Sequence, residues 1–297
     1  MFGLKKAQHF DSAFPYTEII GNSEGPVVLI TAGMDGDEYA GIEAAYRLIK
    51  HFQSVQFPGI IRVVPVVNIP GFESGVSWNP LDNKFPKHIF PGMEKGTASE
   101  QLIYTLWQKV GKNVTLWLDL HGGARNEKLI PYILGFMTKN ELLNLKTKNL
   151  LEAIHHKTMV ITTWEKVNRI SLNNCLYLVF EAGDQGKMEE TAVNLHIQWV
   201  HTAIRALQSQ EKEPNIPMCY FQKQNRQISP CDGLFVPEIL KDEIEKNMII
   251  GNIYSPNKQK IKEIRAIETG RLLYHRVFGW IKKGEYLLTF ASDVIKE

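Results

Sequence analysis

The sequence predicts an α/β domain on a mostly parallel sheet, followed by a smaller all-β module. Three observations carry that prediction. Near-continuous apolar runs, "PVVLITAG" (26–33), "VTLWLDLHGG" (114–123) and "CLYLVFEAG" (175–183), read as strands covered on both faces by helices. Segments with helical spacing alternate with them. Beyond "EKEPNIPM" (211–218), a charged, proline-bearing stretch, the texture changes to short apolar pieces between turn residues. With 297 residues, 44% of them hydrophobic, the chain can bury at least one large core. We place the boundary near residue 214, with domains at 1–213 and 219–297.

Taken in order, "PVVLITAG" is a buried strand that ends at glycine. "DEYAGIEAAYRLIKHF" behind it is a helix with Ile42, Ala45, Tyr46 and Ile49 on one side. "IIRVVPVVNIPGF" (60–72) is a second strand, and "SEQLIYTLWQKV" (99–110) a helix with a serine at its start. "VTLWLDLHGG", "YILGF", "TMVITTW" and "CLYLVFEAG" supply further strands, and 187–210 is a long amphipathic helix. In the last part, "CDGLFVPEI", "NMIIGNIYS", "TGRLLYHRV" and "KKGEYLLTF" give four short strands.

Composition narrows the function classes. Thirty-four basic and 32 acidic side chains leave a formal charge of +2, too little to concentrate a polyanion, so nucleic acid is not an expected partner. No apolar run approaches the roughly 18 residues that span a bilayer, and the opening "MFGLKKAQHFDSAFPY" lacks the apolar core of a secretory leader. Cys175, Cys219 and Cys231 are widely spaced, which fits neither a disulfide framework nor a thiolate metal site. A soluble protein of the reducing cytoplasm is expected. There is no G-x-S-x-G, since "GVSWN" (75–79) lacks the second glycine, and no Walker loop, H-E-x-x-H or G-x-G-x-x-G.

Ligands of open α/β sheets bind beyond the carboxyl ends of the strands. Asp35 and Glu38 follow the first strand, His121 ends the "DLHGG" strand, and Glu181 ends the late one. Asp35 and Glu38, three apart at a strand-to-helix turn, can reach one cation from the same side. His121 would complete a three-ligand set of the kind that catalytic zinc uses while keeping a fourth position for water. Glu181 is then the candidate general base. Each residue also has a plainer use. Acids at a helix start serve as caps, a histidine before two glycines serves a turn, and a glutamate at a strand end is often solvated. Their joint placement at successive strand ends is what capping does not predict; Asp37 is assigned to a cap.

"AGMDGDEYAGIEAA", "VVNIPGF", "NPLDNKFPKHIFPG", "DLHGG" and "VFEAGDQG", in this order, resemble the succinylglutamate desuccinylase/aspartoacylase family, a branch of the zinc carboxypeptidase superfamily. The resemblance runs from about residue 25 to the end. It implies a carboxypeptidase-like, mixed but mostly parallel sheet with a β-rich C-terminal domain. It also implies a zinc-dependent hydrolase for the amide bond of a small N-acylated amino acid, with metal ligands at Asp35, Glu38 and His121 and the catalytic glutamate at Glu181. Two positions depart from the family pattern. Asp35 stands where histidine is usual, which hardens the site, so manganese becomes an alternative to one Zn2+ per chain. Lys87 and His88 stand where asparagine and arginine are usual, and neither reproduces the two parallel hydrogen bonds of an arginine on a carboxylate.

Lys87, His88 and Arg125, all in loops near the expected site, are candidates to bind a substrate anion; as surface charges they would have no such role. His155, His156, His196 and His201 lie on helical stretches and are expected to pack or be solvated. The C-terminal module is expected to shape the mouth of the cleft or to make a homo-oligomer contact. Two rival readings share these residues: a non-catalytic ligand-binding protein that kept the fold, and a peptidase using the same site.

Overall fold

The computed structural model describes residues 6–10, 14–163, 174–208, 219–238 and 240–296. Its first part alternates strands with helices: β1 (Lys6–Phe10), β2 (Pro15–Ile20), β3 (Ser23–Ala32), α1 (Tyr39–Phe52), β4 (Pro58–Val64), α2 (Ile69–Ser74) and α3 (Ala98–Lys109). There follow β5 (Leu116–His121), β6 (Glu127–Leu129), β7 (Tyr132–Met137), α4 (Glu141–Ile154), β8 (Met159–Thr163), β9 (Leu176–Glu181) and α5 (Glu190–Gln208).

Among the described residues the main sheet runs β1-β2-β4-β3-β5-β9-β7-β8 and then continues into C-terminal strands. At its centre β4, β3, β5 and β9 are mutually parallel, as their buried apolar runs require. The sheet is mixed because β7 lies antiparallel to β9, and β1 and β2 form an antiparallel edge. Side chains alternate across it. Ile30, Leu118, Leu178 and Phe180 face α1, α4 and α5, joining Leu48 and Trp199 in one core. Leu29, Trp117, Tyr177 and Val179 face the other way, onto Leu102 and Leu106 of α3.

Several local expectations are corrected. The strand expected over 60–72 stops at Val64, before Pro65, and "IPGFES" turns into α2, capped by the Asn68 side chain accepting from the Gly71 amide at 3.1 Å. Helix α1 buries Ala40, Ile42, Ala44, Ala45 and Leu48, whereas Tyr46 is 44% exposed. Helix α3 is capped by Thr97 in a reciprocal box with Glu100, and Ser99 instead bonds to Asp82. Helix α5 ends at Gln208, its expected last residues lying outside the described ones, as does Trp164 of "TMVITTW".

The C-terminal region is β-rich but has more strands than the four expected: β10 (Cys219–Ile228), β11 (Gly233–Pro237), β12 (Glu243–Ile244), β13 (Ile249–Tyr254), β14 (Lys260–Arg265), β15 (Gly270–Arg276), β16 (Gly279–Ile281) and β17 (Tyr286–Lys296). Strands β10 and β14, "CYFQKQNRQI" and "KIKEIR", carry too many polar residues to stand out as apolar runs. Strand β10 pairs in parallel with β8, so β10, β17, β15 and β12 extend the main sheet. The expected boundary near 214 lies outside the described residues. A separate four-stranded sheet, β14-β13-β11-β16, packs around Phe235, Ile253, Ile264 and Ile281. No helix among the described residues is long and apolar enough to cross a membrane.

Candidate active site

The parallel strands β3, β5 and β9 end side by side, and the register sets their last residues opposite one another: Ala32 beside Leu120, His121 beside Glu181. Just past β3, Gly33 takes a positive φ of 62° and starts the turn that carries Asp35 and Glu38 to this edge. Gly36 sits so close to α2 that a Cβ there would lie 2.2 Å from the Gly71 carbonyl carbon and the Phe72 nitrogen. Glu38 then occupies the N-cap position of α1.

Asp35, Glu38 and His121 are buried, and each offers a ligand atom within 4.8 Å of the others'. Glu38 Oε2 lies 2.8 Å from His121 Nδ1 and accepts from the Gly122 amide at 3.0 Å. Asp35 Oδ2 accepts from Lys87 Nζ in an ion pair, while Asp35 Oδ1 is buried with no hydrogen-bond partner. An orphaned carboxylate oxygen is costly in a protein interior unless something else occupies its lone pairs. Behind His121, Nε2 faces Asp119 Oδ2 at 3.3 Å. Asp119 also accepts from Thr31 Oγ1 at 2.6 Å and the Tyr177 hydroxyl at 2.8 Å. A carboxylate holding one imidazole nitrogen so that the other presents toward a cation is the usual arrangement behind a metal-binding histidine. Two carboxylates, an imidazole and the orphaned Oδ1 therefore fit a divalent metal.

The electrostatics follow from burial and crowding. Burial pushes the Asp35 carboxyl up to about 6, against the pull of Lys87. Burial also pushes Glu181 up to about 8, with Glu38 and Asp35 adding to the rise and His121 and Lys87 opposing it. For His121, burial alone would lower the pKa, but Glu38 and Asp119 outweigh it and hold the ring well above the ordinary histidine value.

The cluster forms the floor of a cavity of about 1350 Å³. Lys87 and His88, from the 3-10 turn Pro86–His88, line it, as does Glu181. Part of its lining comes from β10, β15 and β17, including Arg226, Arg276 and Tyr286. Arg125 is not brought to the cavity: its guanidinium donates to the Tyr39 hydroxyl at 3.1 Å and packs over Gly75. Asp37 does not cap α1. One of its oxygens accepts from Ser77 Oγ at 2.7 Å and the other from the Arg125 amide at 3.3 Å, tying three loops together.

Of the four histidines expected on helical stretches, His196 and His201 lie in α5, whereas His155 and His156 stand just past the end of α4; none of the four lines the cavity. His196 is fully buried with Nε2 at 3.1 Å from the Ala182 carbonyl. His156 packs on Trp199, His201 on His51, and His155 ends α4 with φ 49°. Sequence reasoning missed Asp119, Glu127 and Arg276. Asp119 could have been found from its spacing, since it stands two residues before His121 in an otherwise apolar strand. Glu127 and Arg276 gave no local signal; they meet across the β6–β15 pairing, 149 residues apart by number, 276 against 127.

Residues 24–207 match the succinylglutamate desuccinylase/aspartoacylase catalytic domain. The chain belongs to this family. Among solved structures similar to this family member is the succinylglutamate desuccinylase of Silicibacter sp. TM1040, at TM-score 0.80 and 19% identity over 98% of this chain and 94% of that one. The product-bound ectoine utilization protein EutE (DoeB) of Ruegeria pomeroyi gives TM-score 0.81 and 20% identity, again over 98% and 94%. At such identities the likeness bears on fold, and it bears out the expected α/β architecture with a β-rich C-terminal region. A curated relative, the N-alpha-acetyl-L-2,4-diaminobutyric acid deacetylase of Halomonas elongata, is 31% identical over 114 residues. That match covers 38% of this desuccinylase/aspartoacylase-family chain and about a third, 33%, of the relative.

Proposed function

We propose that this protein is a metal-dependent deacylase, cleaving the amide bond of a small N-acylated amino acid or related compound. Asp35, Glu38 and His121 would hold the metal, zinc in the first instance and manganese as the alternative that two carboxylates favour. The observation that carries the reading is Asp35 Oδ1, a buried acceptor without a partner, within a three-ligand cluster on the floor of a cavity. When bound, a divalent ion there supplies Lewis acidity to the scissile carbonyl and makes water nucleophilic at neutral pH.

The chain's own residues supply the rest. Glu181, on the strand beside His121, would be held ionised by a bound dication despite its raised pKa, take the proton of the attacking water on its carboxylate and deliver it to the amide nitrogen as the C–N bond breaks. A carboxylate and an amine leave. Asp119 holds the His121 ring in place. Of the expected anion-binding residues, Lys87 is paired with Asp35 and Arg125 with Tyr39, so we assign the substrate's own carboxylate to Arg276. The Arg276 side chain is 21% exposed on the cavity wall and touches Glu285 only at 3.4 Å, leaving guanidinium donors for a planar anion. His88, on the 3-10 turn that also lines the cavity, we assign to the acyl group. The name of the curated relative makes acetyl the first acyl group to try. A cytoplasmic location belongs to this reading, supported by Cys175 and Cys231 standing as free thiols.

The test combines elemental analysis with hydrolysis of N-acetyl amino acids. About one zinc or manganese per chain is expected, lost in Glu38→Ala and His121→Ala. Glu181→Gln should keep the metal while kcat falls roughly 10²- to 10⁴-fold, the usual contribution of a general base. A wild type that takes up neither ion sinks the reading and leaves a ligand-binding protein that kept the fold.

A further inference from the structure

We propose that Lys87 and Asp35 form one charge-compensated unit, in which the lysine offsets the second carboxylate of the metal site and sets its affinity and metal preference. This rests on the metal-dependent reading above. Zinc sites of the carboxypeptidase type combine two neutral imidazoles with one carboxylate, a ligand charge of −1. Asp35, Glu38 and neutral His121 bring −2. Such an excess would neutralise the ion and weaken its action on carbonyl and water.

The structure supplies the correction within the same carboxylate. Lys87 Nζ pairs with Oδ2 of Asp35, and Oδ1 is left without a partner. With the ammonium counted, the charge about the ion returns to −1. The Lys87 charge also reaches Glu38 and Glu181, so it acts on the whole floor of the cavity. The Asp35 side chain is 2% exposed and that of Lys87 29%. A carboxylate so deeply buried is stable only if its charge is met, and removing one partner strands the other. The pairing also explains why residues 52 positions apart each carry a charge at this site. Lys87 is therefore a positioning and charge-setting residue and is not available to bind substrate.

A double-mutant cycle on the full chain tests this, with zinc and manganese affinities read by chelator competition and thermal melts of the metal-free proteins confirming folding. The variants are Lys87→Met, Asp35→His and the two combined, with Lys87→Gln as a second neutral replacement should Lys87→Met fold poorly. Removing the ammonium alone should tighten zinc binding at least about tenfold, since Asp35 then faces only the ion. Asp35→His alone should weaken it at least about tenfold, because the Lys87 ammonium then stands beside the metal without the Asp35 carboxylate to offset it. The product of the two single effects is near wild-type affinity, so the double variant should instead bind zinc at least about tenfold more tightly than wild type, because Lys87→Met then removes an ammonium that no carboxylate at position 35 offsets, a coupling that only a shared interaction produces. Single effects that simply multiply in the double variant, or a Lys87→Met that binds zinc more weakly, would overturn the proposal while leaving the hydrolase reading intact. A wild type that binds neither ion overturns both. A coupled cycle in a protein that hydrolyses no N-acyl amino acid supports the pairing and overturns the proposed activity.

Discussion

Asp119→Asn probes the support of the site with almost no change of shape. The carboxylate is completely buried and accepts from three donors: Thr31 Oγ1 on Oδ1 at 2.6 Å, the Tyr177 hydroxyl on Oδ2 at 2.8 Å, and His121 Nε2 on Oδ2 at 3.3 Å. Thr31 most readily keeps its donor role, because its oxygen already accepts from the Trp117 indole at 2.7 Å and its own proton needs an acceptor. The asparagine carbonyl is thus drawn toward Thr31, and its NH2 group faces Tyr177 and His121. Tyr177 can rotate to accept. His121 can accept on Nε2 only by moving its proton to Nδ1, the nitrogen that lies 2.8 Å from Glu38 in the ligand cluster. One hydrogen bond to a charged group is worth about 1.5–3 kcal/mol. At 1.4 kcal/mol per decade, that corresponds to a loss of about 10- to 100-fold in metal affinity, the range typical of residues behind a ligand. Zinc competition against a chelator reads the loss directly, and the melting temperature of the metal-free protein separates it from misfolding. An affinity within about threefold of wild type would refute the claim that Asp119 sets the state of His121.

Other perturbations follow from packing and charge. Gly36→Ala forces a methyl to 2.2 Å from the Gly71 and Phe72 backbone, which cannot yield as a side chain can. A cost of about 1–3 kcal/mol is expected, and a melting temperature matching wild type would contradict the close approach. Leu118→Ala empties a fully buried position in the centre of β5 and should destabilise by about 2–5 kcal/mol in denaturant titration; less than about 1 kcal/mol would mean that the sheet collapses onto the gap. His201, 4.4 Å from His51, has a pKa lowered from 6.5 by burial first and then by His51 and Arg205. Because its folded value lies below the unfolded one, the stability it contributes is present above pH 6.5 and is lost as pH falls through the folded value. The slope is at most about 1.4 kcal/mol per pH unit, so melting curves between about pH 7 and pH 5 should flatten in His201→Phe. Parallel curves for the two proteins would remove His201 from the acid response.

Local pattern alone determined where the central strands run and where they end. "PVVLITAG", "VTLWLDLHGG" and "CLYLVFEAG" stop at glycines, and the polar residues at those stops, Asp35, Glu38, His121 and Glu181, are the ones that the structure gathers at one edge. They were legible because strand ends in a parallel sheet must fall on the same side. The family, too, was written in the order of these short segments, and the match over 24–207 bears it out.

What the tertiary structure alone decided involves partners far apart in the chain. β7 enters antiparallel to β9, and β10 returns to β8, choices made by how connections pack rather than by any pattern within the strands. Arg125 looked suited to the cavity, yet the loop that carries it turns the guanidinium onto Tyr39. Asp37 looked like a helix cap, yet it serves Ser77 and the Arg125 amide. Lys87 and Asp35 looked like two unrelated departures from a family pattern, and folding made them one ion pair. Periodicity reports which face of an element is buried, because burial repeats every two or 3.6 residues. It carries no information on which buried charge will meet which, since that depends on the path of every loop between them.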